Sequence, residues 1–400
     1  MKALKTALSI AMLLGTTAMA SAQEVHFWYH FDNPENPMDE LIAKFEAENP
    51  GITVEAENIP WNSYFDNMYT AIAGGNAPDA AQIRLFAQPR LLEMNALEPL
   101  DGWIENWTGK ADLLDNLLTM TGAPDGKQYL LPVQYVVLYL YYRADLFDAA
   151  GLEPPATCAA FIDAARALTA DTNGDGQIDQ YGFGFRGATG GHDVWGPFVL
   201  PGASFDNLAT PETIAANQVM IDMFKEGLFP PSSPNDGFQE IIGGFQQGLT
   251  AMTVHHIGSA NAMVNALGDK VSATVVPECN DGRWTAFGDD NLAVLSSARD
   301  KEAAWKWISF LSSSQNNALW NQASGQLPIT KSDTESWDGH EQRFVQATVD
   351  SLPYATSLPS VPATSDFVGT AWPTAMQRAL TGQISSEQMM QELARLYAQN

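Results

Sequence analysis

His30, Phe31 and Asp32 follow one another after an apolar run, placing a ring nitrogen, an aromatic face and a carboxylate within three positions. A polyhydroxylated ligand uses all three, because hydroxyls need paired donors and acceptors while C–H faces pack on rings. Asp32 can equally cap the helix that follows. Trp61 comes after a strand and a proline, where it either meets a ligand or packs. Gln82, Arg84 and Phe86 lie at and just beyond the strand after Pro78-Asp79. Arg84 is an isolated cation in an acidic chain, fit to clamp a hydroxyl pair or an anion through its fork, or to make a surface ion pair. Gly190-Gly-His-Asp-Val-Trp195 reads as a Gly-rich loop carrying His192 and Trp195. His256 follows a strand, Asp290 sits in Gly288-Asp-Asp-Asn291, and Trp372 precedes the closing helices, as a ligand cover or a core ring.

Other residues suggest metal or redox chemistry. In Asp171-Thr-Asn-Gly-Asp-Gly-Gln-Ile-Asp179, Asp171, Asn173, Asp175 and Asp179 supply oxygens at loop positions 1, 3, 5 and 9, and the Gln177 carbonyl is available at 7. That is the front of an EF-hand loop, but position 12 is Gly182 instead of the bidentate Glu, so a structural Ca2+ competes with an Asx-turn hairpin. No cofactor is otherwise called for. His255-His256 point oppositely if extended, and no HExxH or nearby cluster supports zinc. Cys158 and Cys279 read as two buried thiols, with a disulfide as the alternative.

The chain has 20 Lys+Arg against 47 Asp+Glu, a net charge of −27, in 400 residues. That balance argues against nucleic-acid binding and against docking on an anionic membrane. With 45% apolar and 17% charged residues it builds a core, and its 11 Trp, 11 Tyr and 19 Phe exceed what packing alone asks for. Residues 1–22 read as a secretory signal: Lys2 and Lys5, an apolar stretch Ala7–Leu14, then Ala20-Ser21-Ala22 before cleavage at Gln23. No Cys follows for lipid attachment, so the expectation is a periplasmic protein of charge −29 once the two lysines are removed.

These residues need a frame. Val25–His30, Ile52–Ala56 and Ala80–Leu85 read as strands separated by helices Pro37–Asn49 and Asn62–Ala73, the alternation of a mostly parallel sheet. Val133–Tyr142 is a long apolar strand, and Cys158–Thr169 a helix capped by Thr157. Pro211–Glu226, Lys301–Leu311 and Ser385–Tyr397 are further helices; Leu249–His255, Val271–Val276 and Leu292–Leu295 are further strands. Trp305, Trp307 and Trp320 belong to a late helical region and should pack there.

Several segments together resemble the extracellular solute-binding proteins of ABC importers, the group of the maltodextrin-binding proteins. They are Asn49-Pro-Gly-Ile-Thr-Val54, Gly74-Gly-Asn-Ala-Pro-Asp79, Tyr141-Tyr-Arg-Ala-Asp-Leu-Phe147, Phe245-Gln-Gln-Gly-Leu-Thr-Ala-Met252, Lys301–Ile308 and Ser324-Gly-Gln-Leu-Pro328. The resemblance implies an α/β, two-lobe periplasmic-binding-protein fold of type II, crossed three times by the chain near Pro132, Val276 and Pro328. Lobe one would be 23–131 plus 277–327 and lobe two 132–276 plus 328–400. Tyr135 would follow the first crossing, Trp195 would stand where the family often stacks a ring, and His256 would belong to a ligand loop.

The resemblance further implies a monomer that captures a small carbohydrate or polyol, closes by hinge bending, and delivers it to ABC permease subunits without catalysis. Two rivals remain: an acidic sugar as cargo, which turns on Arg84, and a secreted glycoside hydrolase, which needs two carboxylates flanking one bond.

Overall fold

The computed structural model describes residues 23–31, 36–114, 117–334 and 339–398; the expected leader and Asp32 lie outside them. The opening alternation forms as read: β1 (Gln23–Tyr29), α1 (Met38–Glu48), β2 (Ile52–Asn58), α2 (Trp61–Ala73) and β3 (Ala80–Ile83). β1 pairs in parallel with both β2 and β3. Helix α1 buries Met38, Leu41 and Phe45 on one stripe, the spacing that predicted it.

Two long antiparallel strands hold the molecule together. β4 (Leu131–Arg143) pairs through Val137 with β8 (Thr285–Val294) and from Leu138 onward with lobe-two strands. The sheet order is β2–β1–β3–β8–β4–β6–β5, with β5 at Tyr181–Gly184, β6 at Thr250–His256 and β8 at Thr285–Val294. A short strand, β7 (Val271–Thr274), also pairs with β4, and β9 (Ala355–Thr356) with β8. Lobe one covers its sheet with two apolar layers, one of which packs Phe27 and Phe45 on Trp307 at 5.7 and 5.1 Å. Trp305, Trp307 and Trp320 are buried in that layer, as expected.

The crossings fall elsewhere than the sequence suggests. β4 passes between lobes at Val137–Leu138, about five residues beyond Pro132, and β8 passes at Ala286–Phe287. Residues 277–284 therefore belong with lobe two, whose core holds Cys279 and Trp284. At the third crossing, Ile329 packs on Leu113 and Leu117, and Ser332 bonds Asp112, so 328–334 stay with lobe one. The return to lobe two comes before the helix Gln342–Ser351, whose Phe344 joins that core.

The two cysteines are not free thiols. Cys158 and Cys279 form a disulfide with Cα atoms 5.1 Å apart. Cys158 opens helix α3 (Cys158–Ala167), capped by Thr157 Oγ1 accepting from Ala160 N at 3.2 Å. The backbones cross-link beside the bond, with Cys158 N donating to Glu278 O and Glu278 N to Ala156 O, both at 2.9 Å.

Candidate ligand-binding cleft

The loops leaving β1, β3 and β5 meet the hinge strands around one cavity of about 350 Å³. This is where an open α/β sheet places ligands, outside the carboxyl ends of its strands. Its walls include His30, Phe31, Trp61, Gln82 and Arg84 from lobe one and His192, Asp193 and His256 from lobe two, with Asp289 and Asp290 on β8 between them.

On the lobe-one side, Gln82 Oε1 accepts the His30 amide at 2.9 Å, which fixes the turn out of β1. Trp61 opens α2 after Pro60 and lies 5.4 Å from the His30 ring and 6.4 Å from Phe86. The Arg84 guanidinium stacks over Trp61 at 5.0 Å. Its Nη1 donates to the Asp290 carboxylate at 3.0 Å and to the Asp289 carbonyl at 2.9 Å. Gln134 also donates to Asp290.

Strand alternation decides β4. Gln134, Val136 and Leu138 face the cavity, so Tyr135 points to the opposite face and packs with the Leu113, Leu117 and Ile329 cluster. Tyr135 is therefore corrected to a packing residue, and Gln134 takes its place.

On the lobe-two side, the expected Gly-rich loop is helix α4 (His192–Val199). His192 and Asp193 sit at its first turn, in the cavity wall, with Nε2–Oδ1 at 3.1 Å. Trp195 lies one turn deeper, fully buried, and donates Nε1–H to Asn217 at 2.8 Å. Trp372 is buried beside it at 5.9 Å. Neither tryptophan lines the cavity, so both are core residues and not sugar platforms. Phe86, named in the sequence beside Gln82 and Arg84, lines the cavity, and Phe238 supplies a ring that the sequence did not point to. His256 Nδ1 accepts from Gly258 N at 3.1 Å, so a neutral ring carries its proton on Nε2.

Burial sets the charges. Asp193 resists ionisation through burial, but His192, Arg186 and Arg84 together hold its carboxyl below the usual range. Asp289 is pushed up to about 6, because burial outweighs Arg84 and the donors Asn291 and Leu85 N. The folded state therefore binds a proton on Asp289 over a pH range, from about 4 to 6, in which the unfolded chain has released it. This contribution to stability is present below about pH 4 and is lost as pH rises through 6. Asp289→Asn should raise stability near pH 7.5 by at most about 3 kcal/mol, and the unfolding midpoint with it, and leave both nearly unchanged near pH 4. Midpoints recorded against pH for both proteins test this.

The Asp171–Asp179 loop lies outside this cleft and satisfies itself. Asp171 accepts from Gly174 N and Gly176 N, Asn173 from Asp175 N, Asp175 from Gln177 N, and Asp179 from Thr172. Elsewhere, Glu24, His26 and Glu55 bring one ligand atom each within 4.8 Å of one another at the surface. Ca2+ added to chelated protein should leave the unfolding midpoint unchanged; a rise of several degrees would return the ion to the loop.

The pattern of the bacterial extracellular solute-binding proteins matches residues 32–318. The chain belongs to that family. Among curated relatives of this solute-binding protein, the sn-glycerol-3-phosphate-binding periplasmic protein of Escherichia coli is 27% identical over 354 residues, covering 80% of this chain and 78% of its own. A Brucella abortus protein named as a binding protein is 27% identical over 363 residues, 88% of this chain and 87% of its own. A Thermotoga lettingae solute-binding protein with bound α-D-tagatose superposes with TM-score 0.82 at 24% identity, covering 94% and 99% of the two chains. A ribitol complex from Agrobacterium radiobacter gives 0.80 at 20% identity, covering 95% and 99%. These superpositions establish the two-lobe, type II architecture of the solute-binding protein. Among its described residues no helix is long and apolar enough to cross a membrane.

Proposed function

We propose that this chain captures a neutral sugar or polyol in the periplasm and delivers it to an ABC importer by closing its lobes, and that it catalyses nothing. One observation carries the choice of cargo: the cleft interleaves aromatic rings with nearly balanced charges, two arginines against three aspartates. Donors and acceptors side by side suit hydroxyls, each of which gives and takes a hydrogen bond. An acidic cargo would instead favour a clear excess of cations. About 350 Å³ of space suits one or two rings, not a long chain. The solved relatives named for tagatose, ribitol and maltose agree in kind, while the relative named for sn-glycerol 3-phosphate takes a polyol that carries an anionic group. A hydrolase would need two carboxylates at liberty, whereas Asp289 and Asp290 are held by Leu85 N, Asn291, Arg84 and Gln134.

A thermal-shift panel of monosaccharides, disaccharides, polyols and sugar acids tests the reading. At 100 times its dissociation constant the cargo adds about 2.7 kcal/mol of stability, a visible rise in midpoint. A response confined to sugar acids, or none at all, would remove it, and so would steady release of product from glycosides.

A further inference from the structure

Arg84 has a counterpart across the cleft. Each lobe places an arginine just past the end of a strand: Arg84 follows β3, which ends at Ile83, and Arg186 follows β5, which ends at Gly184. Their situations differ. Arg84 is paired with Asp290 and stacked on Trp61, whereas Arg186 is 7% exposed and has one hydrogen bond among the described residues, from Nη2 to Thr189 O. Its Nε is buried without a partner, and although Asp193 and Glu240 attract it, among the described residues no carboxylate bonds it directly. The guanidinium rests against Gly190, where any Cβ would stand 2.6 Å from Nη2, so only glycine lets it lie this close to the loop. His192 Nδ1, also in the cavity wall, is likewise buried and unpartnered. Burial lowers the Arg186 pKa to about 10, and Arg84 across the cleft adds to that lowering.

A guanidinium with a buried N–H left without an acceptor is costly, and a fold keeps one where something else supplies the acceptor. We propose that Arg186 is the specificity-determining contact of the cleft, held short of partners so that only a cargo presenting two adjacent oxygens to lobe two completes its hydrogen bonds. Neighbouring hydroxyls of a sugar or polyol fit best, because each can accept from Arg186 while donating to Asp193. The same oxygens would separate Arg186 from Arg84, whose repulsion opposes closure of an empty cleft. This inference rests on the sugar-or-polyol reading.

The test compares wild type, Arg186→Met and Arg186→Lys in two measurements. The first is the unfolding midpoint without cargo. The second is calorimetric titration with ribitol, D-tagatose, maltose and sn-glycerol 3-phosphate. R186M should unfold about 2 to 4 °C higher than wild type, since an unmet buried charge has been removed. It should nevertheless bind about 100-fold more weakly every probe that wild type binds, while R186K, keeping the charge without the fork, falls between. A purely structural role predicts the reverse, a lower midpoint in R186M. That result, or unchanged affinity, would overturn the proposal. Binding of sn-glycerol 3-phosphate above the neutral probes would leave the oxygen pair in place and make it anionic. If wild type binds none of the four, the sugar reading fails, and the cargo-free midpoint still judges Arg186: a fall rules it out.

Discussion

Arg84→Ala should weaken cargo binding by at least about 100-fold and lower the unfolding midpoint by on the order of 10 °C. The guanidinium joins the end of β3 to the hinge strand through Asp290 and the Asp289 carbonyl, and fixes the Trp61 ring by stacking. Truncation leaves Asp290, 5% exposed, with Gln134 as its remaining donor and Asp289 as its chain neighbour. Breaking a buried pair from one side costs about 3 to 5 kcal/mol, because the surviving charge stays desolvated. Arg84→Ala combined with Asp290→Asn should recover most of the stability and none of the affinity. Thermal unfolding and calorimetry on the single and double variants separate these effects. Recovery of binding in the double variant would show that Arg84 serves only to neutralise Asp290.

Removing the disulfide should cost about 2 to 4 kcal/mol. The bond closes a span of 121 residues, and the chain-entropy account gives roughly 4.7 kcal/mol for a loop near 100 residues, an upper bound once native strain and residual unfolded structure are counted. It ties 277–284 to α3 just ahead of β8, the strand that carries Asp289 and Asp290 into the cleft. Reductant, or Cys158→Ala with Cys279→Ala, should lower the midpoint by roughly 5 to 15 °C. Affinity should fall less than tenfold, because the paired backbone bonds at Ala156, Cys158 and Glu278 remain. A midpoint unmoved by reduction would mean that those bonds alone hold the segment.

The βαβ opening was legible because period, caps and Gly stops agree: the Leu41 and Phe45 stripe, the Thr157 cap and the stop at Gly74-Gly75 all stand in the structure. The crossings were misplaced because β4 and β8 change lobe in mid-strand: nothing breaks the apolar run around Val137, and Gly288, next to Phe287, lies within β8 instead of ending it. Tyr135 was misread because β4 is covered on both faces, so alternation alone does not say which face meets the cleft. Trp195 was misread because seven of the eight residues of α4 are buried, leaving no polar stripe to orient the helix. Arg186 was missed with its strand, since Tyr181-Gly-Phe-Gly184 is short and half glycine. The cysteine pair was undecided in sequence because separation along the chain carries no information on distance in space.

The central claim is that a neutral sugar or polyol binds between the lobes of this protein. The most direct measurement is isothermal titration calorimetry of the protein with each neutral ligand that shifts its midpoint, repeated on Trp61→Ala. One site per chain is predicted, with affinity cut roughly tenfold or more when the Trp61 ring is removed. Saturable binding untouched by W61A, or binding only of charged ligands, would contradict it.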